Sequence, residues 1–232
     1  ELVINIDLDE LIADRAERLV SYQSQALANQ FRELIDAIRC ADPKCSREIS
    51  VTRVVTEQLY RLMAIKDEYE IGRLFSKPEF RAELDANFEP GYSLQFHLAA
   101  PLFSRKDKKT GEIKKSTYGS WIMLVFKFLS KLRWLRNTPI DPFGQTSERR
   151  LARADLCTYL EDLDFLAKKL CKENYTAGLK LASLPQTLRG FGHVRNEKRI
   201  QLEKDRSVIR NQMLLETSTG ASSFYILARE TE

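Results

Sequence analysis

Tyr159-Leu160-Glu161-Asp162-Leu163-Asp164-Phe165-Leu166-Ala167-Lys168-Lys169-Leu170 returns an apolar side chain to the same place every three or four positions. Such a stretch can hide its apolar side only as one face of an α-helix. The same steps begin upstream at Leu151 and Leu156, so a helix is predicted over about 147–172. Most of the chain repeats the pattern. Leu8, Ile12, Ala16, Leu19, Leu27, Phe31, Leu34 and Ile38 predict one long helix from an acidic N-cap at Asp7, with Glu10 as its capping-box partner, to a stop at Pro43. Val51, Val54, Val55, Leu59, Leu62, Met63, Tyr69 and Leu74 predict a second, and Ser76-Lys77-Pro78-Glu79 opens a short third carrying Phe80, Leu84 and Phe88. Further helices are predicted from Trp121 to about Arg136, from Asn174 to just before Gly190, and from His193 to about Leu215. The last is so charged that only Val194, Leu202, Ile209 and Met213 form an apolar edge, which predicts packing on a surface.

Between these helices the period changes. After Pro90-Gly91, Tyr92, Leu94, Phe96 and Leu98 alternate with polar residues, the mark of a strand. Two more extended pieces, around Pro101 to Arg105 and Ile113 to Tyr118, are joined by a turn at Asp107-Lys108-Lys109-Thr110-Gly111. The expected fold is therefore mainly α, a bundle-like helical domain with a small β-hairpin or sheet inserted around residues 92–118. One domain is expected over 1–232: long helices at 1–89, the sheet or hairpin at 90–118, helices at 119–216, and a tail at 217–232 read as a polar loop before a short strand-like run. The first residues lack an initiator Met and any apolar leader, and are read as the start of a fragment of a larger chain.

Composition narrows the function classes. A net charge of +4 from 37 basic and 33 acidic side chains describes a mixed surface and gives no reason to expect nucleic acid. The longest apolar run, Trp121 to Phe126, is far shorter than the roughly 20 residues needed to cross a bilayer, so no membrane partner is expected. Four scattered cysteines suggest a reducing cytoplasm. Cys157 and Cys171 fall 14 residues apart on one predicted helix, too far to share a metal or a bridge, and no C-x-x-C spacing occurs.

The chain has no Gly-rich phosphate loop, nucleophile elbow or H-E-x-x-H. Its two histidines, His97 on the predicted strand and His193 in the first turn of a helix, could serve a small independent enzyme only if the fold supplied a partner carboxylate. Structural hydrogen bonding is the simpler role for both. In Asn137-Thr138-Pro139-Ile140-Asp141-Pro142-Phe143-Gly144 the prolines fix the backbone, Asp141 caps the turn or faces a polar site, Phe143 anchors it, and Gly144 takes a positive φ. The carboxylates of Lys66-Asp67-Glu68-Tyr69-Glu70 read as surface ion pairs. Arg105, Lys106, Lys108, Lys109, Lys114 and Lys115 make the predicted hairpin basic. A helical binding module could use it to contact an anionic ligand or an acidic protein, although lysine-rich tips also serve merely to block edge pairing.

The Pro-rich stretch at 137–144 and Leu181-Ala182-Ser183-Leu184-Pro185-Gln186-Thr187-Leu188-Arg189-Gly190-Phe191-Gly192-His193-Val194 occur in order with several shorter motifs. These include Leu19-Val20-Ser21-Tyr22-Gln23, Lys66 to Phe75, Phe96-His97-Leu98-Ala99-Ala100-Pro101, Tyr118-Gly119-Ser120-Trp121 and Thr146 to Arg150. From about Leu8 to Arg210 the chain resembles the C-terminal domain of the single-chain, fused indolepyruvate ferredoxin oxidoreductases of the 2-oxoacid:ferredoxin oxidoreductase family. That resemblance implies a parent enzyme that oxidatively decarboxylates arylpyruvates to acyl-CoA, using thiamine diphosphate, [4Fe-4S] clusters and coenzyme A, and passes electrons to ferredoxin. The cofactor-binding parts of that family precede this module. It therefore implies no cofactor and no catalytic residue within this chain, and a structural role packed against the preceding domains or across a homodimer.

Overall fold

The computed structural model describes residues 6–98, 116–188 and 192–229, with the side chains of 192–196 and 218–229 outside the description. The described residues are mainly helical, with one small antiparallel sheet, as expected. They gather into two compact units, one built from the chain up to Ile65 and from Pro142 onward, the other from Lys66–Asp141.

The first unit starts with α1 (Leu8–Tyr22) and α2 (Gln25–Ala41). The single long helix expected here is broken. Ser24 is extended and its hydroxyl accepts from Leu27 N at 3.2 Å, starting a new helix while Gln23 N still closes the old one on Leu19 O. A serine oxygen that satisfies an otherwise orphaned N–H stabilises such a break by about 1 kcal/mol, and the resulting hairpin buries both apolar faces together. Arg39 at the end of α2 reaches Asp9 at the start of α1, so the two helices run antiparallel. Asp42 then binds the turn, accepting from Lys44 N, Thr52 N and the Thr52 hydroxyl at 2.8–2.9 Å. α3 (Val51–Met63) follows from its N-cap Ser50, and the second helix expected to reach Leu74 stops at Met63.

After the second unit the chain returns as α7 (Ser147–Lys169), N-capped by Thr146, then α8 (Tyr175–Ser183), a 3-10 turn over Leu184–Thr187, and α9 (Gly192–Arg229). The core holds Leu19, Phe31, Ile35, Ile38, Val55, Leu59, Leu163, Leu166, Leu181 and Met213, all at most 2% exposed. Met213 corrects the expectation that the last helix merely rides on a surface, since its apolar edge enters this core. The tail expected as loop and strand is instead a continuation of α9 to Arg229. Once a helix is nucleated each added residue costs little, which outweighs the weak strand preference of that segment.

The second unit comprises α4 (Glu68–Phe75), α5 (Pro78–Asn87), β1 (Phe96–Leu98), β2 (Ser116–Tyr118) and α6 (Ile122–Lys131), closed by a 3-10 turn at Arg133–Leu135. Phe96 pairs with Tyr118, His97 with Thr117 and Leu98 with Ser116. Phe75, Phe96 and Phe126 form an aromatic cluster with centroids 5.3–5.4 Å apart. α4 and α6 approach closely at Gly72, where a Cβ would lie 2.8 Å from the Phe126 carbonyl oxygen and 2.9 Å from Leu129 Cβ. Only glycine fits there without moving backbone.

Candidate functional site

Apart from Asp42 in the turn before α3, the buried Asp and Arg side chains among the described residues collect in two places, one in each unit. In the second unit, Asp67 N-caps α4 by accepting from Glu70 N at 2.7 Å. Its carboxylate also takes two bonds from the Arg136 guanidinium, at 2.5 and 2.8 Å, with both side chains about 5% exposed. This corrects the reading of residues 66–70 as surface pairs: Asp67 is enclosed, and Glu70 pairs with Arg73 in a partly buried position. Asp141 extends this cluster through Tyr69. It is 3% exposed and accepts from the Tyr69 hydroxyl at 2.9 Å and from Asn137 N at 3.1 Å. Burial first, and then the bond to Asp141, raise the Tyr69 phenol above its ordinary range, so it stays a neutral donor. The left-handed residue in this turn is Asn137 (φ 64°) and not Gly144. Asparagine tolerates that conformation better than other side-chain-bearing residues, and its N–H is fixed by Asp141. Because Asp67 and Tyr69 stand where the chain enters the second unit and Arg136 and Asp141 where it leaves, the network clasps the two ends of that unit.

In the first unit the buried charges form rungs between α7 and α9. Asp155 takes two bonds from Arg199, at 2.6 and 2.8 Å. Asp162 accepts from Arg206 at 2.7 Å and more distantly from Arg210 at 3.5 Å. Both rungs join residues 44 apart and stand seven apart along each helix, so α7 and α9 run parallel with the rungs about 10 Å apart. Arg206 also reaches Glu161 at 2.7 Å and Glu203 at 3.3 Å. Those carboxylates hold it as a cation, with its pKa raised further, against the opposing effect of burial. Burial lifts Asp162 above the usual carboxylate range despite Arg206. Tyr159, one turn away, is wholly buried; its hydroxyl donates to Ala182 O at 2.9 Å, and burial raises its pKa strongly.

A pocket of about 340 Å³ opens beside these rungs, walled by Leu151, Tyr159, Leu184, Pro185, Leu188 and Ile200 with Asp155, Asp162, Arg199 and Glu203 at its polar side. Its volume is at the lower end for small-ligand sites. The polar groups at its side are already engaged, Asp155 with Arg199 and both Asp162 and Glu203 with Arg206, which makes them stiff links between helices more than groups aimed at a guest.

Of the other expected site residues, His97 is among those described, and its bond lies apart from the second unit's constellation. His97 is exposed on β1, its Nδ1 3.0 Å from the Thr117 hydroxyl on the paired strand, with no carboxylate in that bond. The His193 side chain lies outside the described residues, as do Arg105, Lys106, Lys108, Lys109, Lys114 and Lys115. The four cysteines are free, with Cys40 and Cys157 exposed. Among the described residues no three His, Cys, Asp or Glu side chains are grouped so as to hold a metal, and no helix is long and apolar enough to cross a membrane.

A family model described as a family of unknown function, DUF6537, matches residues 8–207. The chain belongs to that family. No curated protein and no solved structure matches it. The residues matched in this DUF6537 chain include both charge constellations except Arg210, and end two residues after Asp205 and one after Arg206.

Proposed function

We propose that this DUF6537 chain is a non-catalytic accessory domain of an indolepyruvate (2-oxoacid) ferredoxin oxidoreductase, bracing the parts that carry the chemistry. The observation that carries the reading is the use of its buried ionisable groups. Asp67, Asp141, Asp155 and Asp162 all face arginine, tyrosine or backbone donors of their own unit and tie helices or chain ends together. The resemblance extends from about Leu8 to Arg210, a span close to the family match at 8–207, which supports treating it as one of the whole module.

The cysteines of the described residues do not fit the iron–sulfur clusters of such a parent. An iron–sulfur cluster needs converging cysteine thiolates, and no such grouping is found among them. On the resemblance, thiamine diphosphate, the [4Fe-4S] clusters and coenzyme A fall to the rest of the parent, with its preceding domains and ferredoxin as partners.

The test is the natural full-length protein. With thiamine diphosphate and coenzyme A it is expected to couple indolepyruvate oxidation to reduction of a viologen dye, while residues 1–232 alone give no turnover. A full-length protein without 2-oxoacid-dependent reduction, or turnover by the isolated chain, refutes the reading.

A further inference from the structure

The rungs between α7 and α9 leave part of their chemistry unused. Asp162 is 2% exposed, and Arg206 at 2.7 Å and Arg210 at 3.5 Å both bind the same oxygen, Oδ1. Its other oxygen, Oδ2, accepts no hydrogen bond among the described residues. One turn earlier on α7, the Thr158 hydroxyl is also without a partner among them. A threonine inside a helix often bonds the carbonyl four positions back, as Thr56 does to Thr52 O at 2.8 Å, so the Thr158 hydroxyl is left available. Both residues line the 340 Å³ pocket. Neither oxygen is sealed in the interior, in contrast to Gln58 Oε1, which is buried and unpaired. Residues four apart share one helix face with Cβ atoms about 6 Å apart, so the two oxygens flank one corner of the cavity.

The rest of the lining decides what those oxygens can take. Leu151, Leu184, Pro185, Leu188 and Ile200 make the walls hydrocarbon, joined by the ring of Tyr159, whose hydroxyl is occupied by Ala182 O. Arg199, the positively charged residue of the lining, is held by Asp155 through two bonds. The unused polar atoms are therefore oxygens that accept, set beside apolar walls. We infer that this pocket binds a small primary amine in its ammonium form, which donates to Asp162 Oδ2 and Thr158 Oγ1 while its hydrocarbon body packs against Leu151, Leu184, Leu188 and Ile200. An ammonium brings three donors and no acceptor, whereas a carboxylate or phosphate would meet Asp162 and Glu203 as like charges.

Size and electrostatics agree with this guest. A cavity of 340 Å³ has room for about ten water-sized groups, enough for an amine of about six carbons. Leu151 and Ile200 are 37% and 64% exposed, so the cavity opens to solvent and a ligand can enter. Burial lifts Asp162 above the ordinary carboxylate range although Arg206 and Arg210 act the other way, the condition of a carboxylate with too few partners for its surroundings. A cation at Oδ2 supplies the missing partner. Arg206 does not bar it, because Glu161 and Glu203 share that guanidinium at 2.7 and 3.3 Å. This inference rests on the first unit alone and holds whatever the parent enzyme proves to be.

Calorimetric titration of the chain with hexylammonium chloride tests it. Saturable binding is expected with a Kd of about 0.1–1 mM, in keeping with so small a ligand. 1-Hexanol and hexanoate keep the hydrocarbon but lose the cationic donor, and bind about tenfold or more weakly. Asp162→Asn still offers Arg206 an acceptor but turns the second position into a donor, and weakens hexylammonium about tenfold or more while leaving 1-hexanol unchanged. Thr158→Leu leaves both rungs intact and fills the polar corner with hydrocarbon; it weakens hexylammonium by a similar factor with an unchanged far-ultraviolet circular dichroism spectrum. Should Asp162→Asn unfold the chain, Thr158→Leu decides alone. No saturable binding of hexylammonium in the millimolar range, equal affinity for 1-hexanol or hexanoate, or binding indifferent to these substitutions in a folded chain overturns the proposal.

Discussion

Replacing Arg206 by Met asks directly whether the α7–α9 rungs carry the first unit. The substitution keeps most of the aliphatic stem and deletes the cation. Asp162, whose side chain is 3% exposed, then keeps only Arg210 as a cationic neighbour, 3.5 Å away. Breaking a buried pair by removing one partner costs about 3–5 kcal/mol, and the remaining arginine places the expectation near the lower bound, at about 3 kcal/mol. For a urea dependence of about 2 kcal/mol per molar, the midpoint followed by circular dichroism falls by roughly 1.5 M. The double variant Asp162→Leu with Arg206→Met removes both charges and is expected to recover most of that loss, because an apolar pair of similar size escapes the desolvation penalty. Glu161 and Glu203, left behind, are 66% and 59% exposed and can be hydrated. A single variant costing under about 1 kcal/mol, or a double variant no more stable than the single, refutes the assignment of these charges to helix clamping.

The second unit gives a companion prediction. Gly72→Ala forces a methyl against the Phe126 carbonyl and Leu129, and is expected to cost about 1–3 kcal/mol; the unfolding transition seen by tryptophan fluorescence reports it, since both tryptophans, Trp121 and Trp134, lie in that unit. An unchanged transition would mean that α4 and α6 stand further apart. Asp162 also predicts a pH effect. Its folded pKa is raised by burial, so just above the ordinary carboxylate range the folded chain retains a proton that the unfolded chain has released, and stability falls as pH rises through that window before levelling. Asp162→Asn removes this contribution, and the difference in urea midpoint between wild type and variant should narrow or reverse in favour of the variant as pH rises. A difference that moves the other way contradicts the direction assigned to Asp162.

Much of the fold was legible because three- and four-residue steps leave few alternatives to an amphipathic helix. α7 was expected over 147–172 and ends at Lys169; the sheet was expected within 92–118 and pairs Phe96 with Tyr118. Helix breaks were harder. Ser24 and Asp67 each start a helix through one side-chain bond, and the apolar steps run almost in phase across them, so periodicity alone joins what the caps divide. The charge network was missed for a different reason. Single charged positions on a helix read as solvated, and only the matching seven-residue spacings of Asp155 and Asp162 with Arg199 and Arg206 carried the signal. Asp141 was recognised as a capping residue, but its bond to Tyr69 spans 72 positions and no local pattern announces it.

The most direct test of the central claim, that the ionisable core supports structure and takes no part in turnover, is the steady-state rate of the full-length protein carrying Asp162→Leu with Arg206→Met. At a temperature where the variant remains folded, 2-oxoacid-dependent dye reduction is expected within about twofold of wild type, since truncating a general acid or base typically costs 10²–10⁴-fold. A fall of that larger size in a folded variant would contradict the account.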